Sequence, residues 1–91
     1  MGYRVQWSNA AVKDLRRLDP QANRLIRAWV RKNLEGCDNP RAIAGGKSLQ
    51  GRKGGWRYRV GSYRLLVTIV DDELLVQVVR AGHRQGVYSK L

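Results

Sequence analysis

The chain is short of acids. Among its 91 residues, 7 Asp and Glu face 18 Lys and Arg, and there is one His. No two carboxylates stand at an evident acid–base spacing, and no Cys/His cluster has metal-ligand spacing. Seven acids leave little for hydrolase or Mg²⁺ chemistry. Cys37 is the only cysteine, which excludes an intramolecular disulfide and fits a reducing compartment. With no Cys partner and one His in the chain, Cys37 reads as an incidental thiol. No run approaches the ~20 apolar residues of a membrane span, and no hydrophobic leader opens the chain. Gln6 stands where an acylation signal wants Ser or Thr. Repeats and low-complexity tracts are missing too. The expectation is one domain over residues 1–91, in the cytoplasm, without membrane or cofactor.

What is present is positive charge and a modest core. The formal net charge is +11 and the pI about 10.9, a footprint that favours a polyanionic partner, nucleic acid first. Hydrophobic residues make up 43%, and a chain of this size buries roughly 60–70% of its unfolded surface.

Tyr3, Val5 and Trp7 alternate with Arg4, Gln6 and Ser8, the pattern of a half-buried strand. Ser8 or Asn9 caps a helix whose stripe is Ala11, Val12, Leu15 and Leu18. Asp19-Pro20 ends it and starts a second, with Asp as N-cap and Pro first. Ala22, Leu25, Ile26, Trp29, Val30 and Leu34 line that helix, and Gly36 suits its C-terminal cap. The other faces carry Lys13, Arg16, Arg17, Arg24, Arg27, Arg31 and Lys32. They lack the alternating signs of a salt-bridged surface, so a solvated face and a nucleic-acid contact weigh about equally.

Residues 37–55 read as a long loop anchored by Leu49. Gly46-Lys47-Ser48 has the end of a phosphate-binding P-loop, but Arg41 occupies the place of its first Gly and no strand–loop–helix context follows, so a nucleotide site is rejected.

Trp56 to Leu65 is the most informative stretch. Gly61-Ser62 is a two-residue turn with Gly first, as type II′ requires. It pairs Val60 with Tyr63, Arg59 with Arg64, Tyr58 with Leu65 and Arg57 with Leu66. Trp56, Tyr58, Val60, Tyr63, Leu65 and Val67 then share an apolar face, and Arg57, Arg59 and Arg64 the other. Arg59 directly opposite Arg64 is destabilising. A local rule broken in this way marks a functional site, and a polyanion would relieve it. Asp71-Asp72 turns the chain into a last strand, Leu74 to Arg80, of ambiguous register: one choice buries Gln77, the other puts Arg80 on the apolar side. The fold class is α+β: a βααβββ order with a small antiparallel sheet and a helical hairpin packed on one face.

Arg, Lys, Tyr and one His suit metal-free cleavage of RNA. There the 2′-hydroxyl attacks the adjacent phosphorus, cations stabilise the pentavalent oxyanion and an acid protonates the leaving 5′-oxygen. Arg forks match phosphate, but an Arg is a poor general base because its pKa lies above ~12.

The sequence resembles the RelE/ParE superfamily of bacterial type II toxins. The resemblance rests on the βααβββ layout, Lys47-Ser48-Leu49-Gln50-Gly51, the hairpin Trp56 to Arg64, and the ending Gly82-His83-Arg84 then Val87-Tyr88. In the RelE branch it implies an endoribonuclease that cuts mRNA in the ribosomal A site. It also implies an antitoxin of RelB type that wraps the toxin, with operator DNA bound only through that complex. The implied site residues are Arg64, Arg84 and Tyr88. Arg57 and Arg59 stand where the best-known member has lysines, so charge stabilisation carries over while the general base stays open between Tyr88 and His83. Lys47, Arg52 and Lys53 would grip ribosomal RNA. Two other readings are a ParE-like toxin that binds gyrase without cleavage, and a basic nucleic-acid-binding module without toxicity.

Overall fold

The computed structural model describes residues 2–83. The chain runs through β1 (Arg4–Trp7), α1 (Asn9–Arg17), α2 (Pro20–Asn33), β2 (Gly46–Ser48), β3 (Gly55–Val60), β4 (Tyr63–Val70) and β5 (Leu75–His83). Short 3₁₀ turns at Pro40–Ala42 and Asp71–Glu73 precede β2 and β5. The helix starts follow their capping chemistry. The Ser8 hydroxyl accepts from the Ala11 amide at 3.0 Å, and an Asp19 carboxylate oxygen accepts from the Ala22 amide at 2.9 Å. Gly36 takes the left-handed conformation expected of it (φ 77°), although α2 itself ends at Asn33.

The strands form one sheet in the order β1-β5-β4-β3-β2. The fold class is α+β as expected, but the sheet is mixed. β1 pairs with β5 in parallel, Val5 opposite Val76 and Trp7 opposite Val78. Both helices and three strands separate these neighbours in sequence, and parallel neighbours need such a long crossover. Part of the expected loop is also strand: β2 pairs antiparallel with β3, Lys47 opposite Arg57.

The hairpin follows its turn. Gly61 has φ 60° while Ser62 keeps a negative φ, which is the type II′ pattern. The pairs Val60–Tyr63, Arg59–Arg64, Tyr58–Leu65 and Arg57–Leu66 all form. A bulge in β5 settles the ambiguous register. Val67 pairs with Val78 but Leu66 with Arg80, leaving Val79 as the extra residue. Val76, Val78 and Ala81 are thereby turned inward and buried, while Gln77 and Arg80 are both kept off the core.

Tyr58, Val60, Leu65, Val67 and Ile69 pack on the sheet against Ala11, Leu15, Ile26, Val30 and Leu34 of the helical layer. The Trp29 and Tyr58 rings lie 5.3 Å apart across that boundary. Leu25, expected in the apolar stripe of α2, is 49% exposed. The helices cover one face of the sheet, and among the described residues no helix covers the other, where Leu66 is nonetheless buried. No helix among the described residues is long and apolar enough to cross a membrane.

Candidate active site

The open face of the sheet is organised in cross-strand rows. One runs Lys47–Arg57–Leu66–Arg80 across β2, β3, β4 and β5, and the next places Arg59 opposite Arg64 and Arg64 opposite Gly82. Between β2 and the hairpin lies a cleft of about 240 Å³, lined by Gly45, Gly46, Lys47, Arg57, Tyr58, Arg59 and Arg64. Four of the seven lining residues are cations and none is an acid.

Each wall has a local cause. The two-residue turn fixes the register that sets Arg59 against Arg64. Gly45 and Gly46 let β2 approach closely. Gly45 holds φ 86°, its carbonyl accepts from the Arg59 amide at 3.1 Å, and a Cβ on Gly46 would stand 2.9 Å from the Tyr58 ring. Tyr58 is in turn locked, its hydroxyl donating to the Pro40 carbonyl at 2.6 Å. Burial pushes the Tyr58 phenol far above its ordinary range, which removes it from proton transfer.

Among the described residues the ion pairs are Arg4–Glu73, Arg41–Asp71 and Arg80–Asp14. None involves Lys47, Arg59 or Arg64. The Arg64 guanidinium donates at 3.4 Å to the Tyr63 carbonyl, a long bond. A cleft with this lining can bind one or more phosphate oxygens by forked, charge-assisted hydrogen bonds.

The sequence-derived candidates divide into groups. Arg57, Arg59 and Arg64 line the cleft together, and Lys47 joins them from β2 rather than serving a separate loop. Arg52 and Lys53 sit in the exposed β2–β3 turn outside the cleft, and Lys53 lines a different hollow beside Arg41, Thr68 and Asp71. His83 ends β5 opposite Tyr63, the ring centroids 4.8 Å apart. Strand alternation puts both on the helix-bearing side, away from Arg59 and Arg64. Arg84 and Tyr88 lie outside the described residues. Gly45, Gly46 and Tyr58 are walls of the site that the sequence does not reveal. The only signal for the first two is a glycine pair directly before a lysine. No group of three His, Cys, Asp or Glu side chains able to hold a metal occurs among the described residues.

A family model described as ParE toxin of the type II toxin–antitoxin system parDE matches residues 5–88. The chain belongs to this toxin family. Its resemblance to the RelE/ParE superfamily is thus more than a shared hairpin motif. Toxin RelG of Mycobacterium tuberculosis is 32% identical over 91 residues, covering 99% of this chain and 100% of its own length. A putative RelE-like toxin protein of Escherichia coli is 30% identical over 87 residues, covering 93% of this chain and 86% of its own. The toxin–antitoxin complex RelBE2 from M. tuberculosis contains a chain that superposes with a TM-score of 0.73 at 29% identity, covering 92% of this chain and all of that one. Within the ParE/RelE toxins, then, this member presents an open basic cleft on the sheet face opposite its helices.

Proposed function

We propose that this toxin is a ribosome-dependent, metal-independent mRNA endoribonuclease of RelE type, held inactive by a RelB-like antitoxin. The supporting observation is the cleft itself: Lys47, Arg57, Arg59 and Arg64 converge on one small volume with no carboxylate among the lining residues. That arrangement matches the needs of phosphodiester cleavage. The RNA 2′-oxygen forms a bond to phosphorus as the P–O5′ bond breaks. Negative charge grows on the non-bridging oxygens, where preorganised cations act most strongly. Arg64 and Arg59 would hold that charge, with Arg84 of the terminal segment. Arg57 and Lys47 would orient the scissile phosphate. The 2′-hydroxyl proton leaves to a base and the 5′-oxygen takes one from an acid. Of the two proton carriers that the sequence offers, Tyr88 is favoured over His83, whose ring lies against Tyr63 in a tilted contact, on the other face of the sheet.

The whole chain acts as one toxin domain in this reading, and its place is the cytoplasm, where ribosomes and mRNA are. The antitoxin would set its own acids against the basic surfaces, and operator DNA would be reached only through the toxin–antitoxin complex. Lys47 contributes inside the cleft, while Arg52, Lys53 and the helix cations supply contacts to ribosomal RNA.

The test is a translation reaction with and without ribosomes. Purified toxin should cut mRNA only when ribosomes are present, and the toxin freed of metal by chelation and dialysis before it is added to Mg²⁺-stabilised ribosomes should cut as well as untreated toxin. His83→Ala should retain most of that activity and Tyr88→Phe should lose most of it. If mRNA stays intact on ribosomes while gyrase supercoiling is blocked, the ParE-like reading replaces this one.

A further inference from the structure

The sheet edge past the end of β1 is closed by side chains rather than by a strand. β1 stops at Trp7, opposite Val78, so β5 has no neighbour there from Val79 onward. Ser8 satisfies the first open groups. Its amide donates to the Val78 carbonyl at 2.9 Å and its hydroxyl to the Val79 carbonyl at 2.9 Å. Asp14 of α1 takes the next. Its Oδ2 accepts from the Ala81 amide at 3.0 Å and from Arg80 Nε at 2.9 Å, and its Oδ1 accepts from Arg80 Nη2 at 3.0 Å.

Asp14 is 2% exposed, the one buried charged side chain among the described residues. Capping a strand amide does not require a carboxylate there. An Asn or Ser would satisfy the Ala81 N–H without the desolvation cost of a buried charge. What the carboxylate adds is the fork with Arg80, and a fork fixes direction as well as distance. The clamped residues are the two that follow the bulge at Val79. Bulges commonly re-aim a strand beside an active site. Here the re-aimed strand runs through Gly82, which is paired with Arg64 of the cleft.

We propose that Asp14 is a positioning residue for RNA cleavage: through Arg80 and the Ala81 amide it sets the direction in which β5 passes the cleft and so the backbone, at Gly82, against which Arg64 is held. This rests on the ribonuclease reading above. It assigns Asp14 no contact with RNA, so its loss acts on the chemical step and not on ribosome binding.

The experiment is single-turnover cleavage of ribosome-bound mRNA over a range of ribosome concentrations, alongside amide exchange. Asp14→Asn is expected to lower the maximal rate by about tenfold or more while leaving half-saturation within about twofold. The Gly82 and His83 amides should exchange at least about tenfold faster, while the Ala81 amide, which the Asn side-chain oxygen still caps, and β3 stay unchanged. Arg80→Lys keeps a cation at a position 23% exposed but loses the fork. It should fall between wild type and Asp14→Asn in both readouts, and it carries the test if Asp14→Asn does not fold. An unchanged maximal rate, a shift in half-saturation alone, or unchanged exchange overturns the proposal. Wild-type protein that leaves ribosome-bound mRNA intact overturns the ribonuclease reading and this inference with it. Wild-type cleavage matched by Asp14→Asn overturns this inference alone.

Discussion

Arg64 sits where the hairpin and the terminal strand meet, opposite both Arg59 and Gly82. Its charge has no acid to answer it among the described residues, so truncation removes a potential phosphate clamp and leaves no buried partner stranded. Arg64→Ala should therefore fold normally, its melting temperature equal to or slightly above that of wild type because the repulsion with Arg59 is gone. It should lose about 10²–10³-fold in the maximal cleavage rate, the scale for removing one preorganised oxyanion donor. Melting curves and ribosome-dependent cleavage on the same preparation check both halves. Tyr58 is the opposite case. Its hydroxyl is buried and bonded to the Pro40 carbonyl, so Tyr58→Phe leaves that carbonyl unsatisfied and should cost about 1–3 kcal/mol in urea unfolding.

At the scale of elements, β2 matters out of proportion to its length. Its closeness to β3 depends on Gly46 having no side chain. A Cβ there would stand 2.6 Å from Trp56 Nε1, itself buried without a hydrogen-bond partner, and 2.9 Å from the Tyr58 ring. Gly46→Ala is expected to destabilise by about 1–3 kcal/mol and to push Lys47 off the cleft, seen as a loss of cleavage activity larger than the fraction unfolded explains. A second link joins the residue before β1, the 3₁₀ turn before β2 and the 3₁₀ turn after β4. Asp71 accepts from the Tyr3 hydroxyl at 2.7 Å and from both Arg41 nitrogens at 3.0 and 3.1 Å. The Arg41 fork and then the Tyr3 hydroxyl hold the Asp71 carboxyl below the usual range. A carboxyl lowered on folding contributes stability above its unfolded pKa of ~3.9, and that contribution is lost as pH falls through the folded value. Wild type should thus lose stability below about pH 4 more steeply than Asp71→Asn, a difference that acid titrations followed by circular dichroism would show.

These elements also show what a sequence displays. The hairpin is legible because a two-residue turn dictates register and alternation dictates faces; both are local. β2 is not. Gly-Lys-Ser between glycines has no alternating apolar pattern, and its strand character comes from Gly46 and Lys47 reaching β3. Hence Lys47 reads as a loop cation in the sequence and as a cleft cation in the fold. The parallel partner of β1 depends on the path of the whole chain. The β5 register defies period-two reasoning because Val79 adds a residue. Asp14 gives no sign in the sequence that it differs from any acid on a basic helix.

At the scale of the whole molecule, the charge is spread over two opposed surfaces. The open sheet face holds the cleft. On the helices Lys13, Arg16, Arg17, Arg24, Arg27, Arg31 and Lys32 are all exposed. In the function proposed above, the sheet face would meet mRNA and the helix face ribosomal RNA. Neutralising Arg16, Arg27 and Arg31 together, each to Gln, tests the second surface without touching the first. If each of the three meets a phosphate, the slope of log affinity for ribosomes against log salt becomes shallower by about 0.7–0.9 for every phosphate no longer neutralised. Wild type and variant should then differ most at low salt and converge as salt approaches 1 M, where screening cancels the phosphate attraction. Parallel slopes would instead leave the helix cations as a solvated face and confine RNA binding to the sheet side.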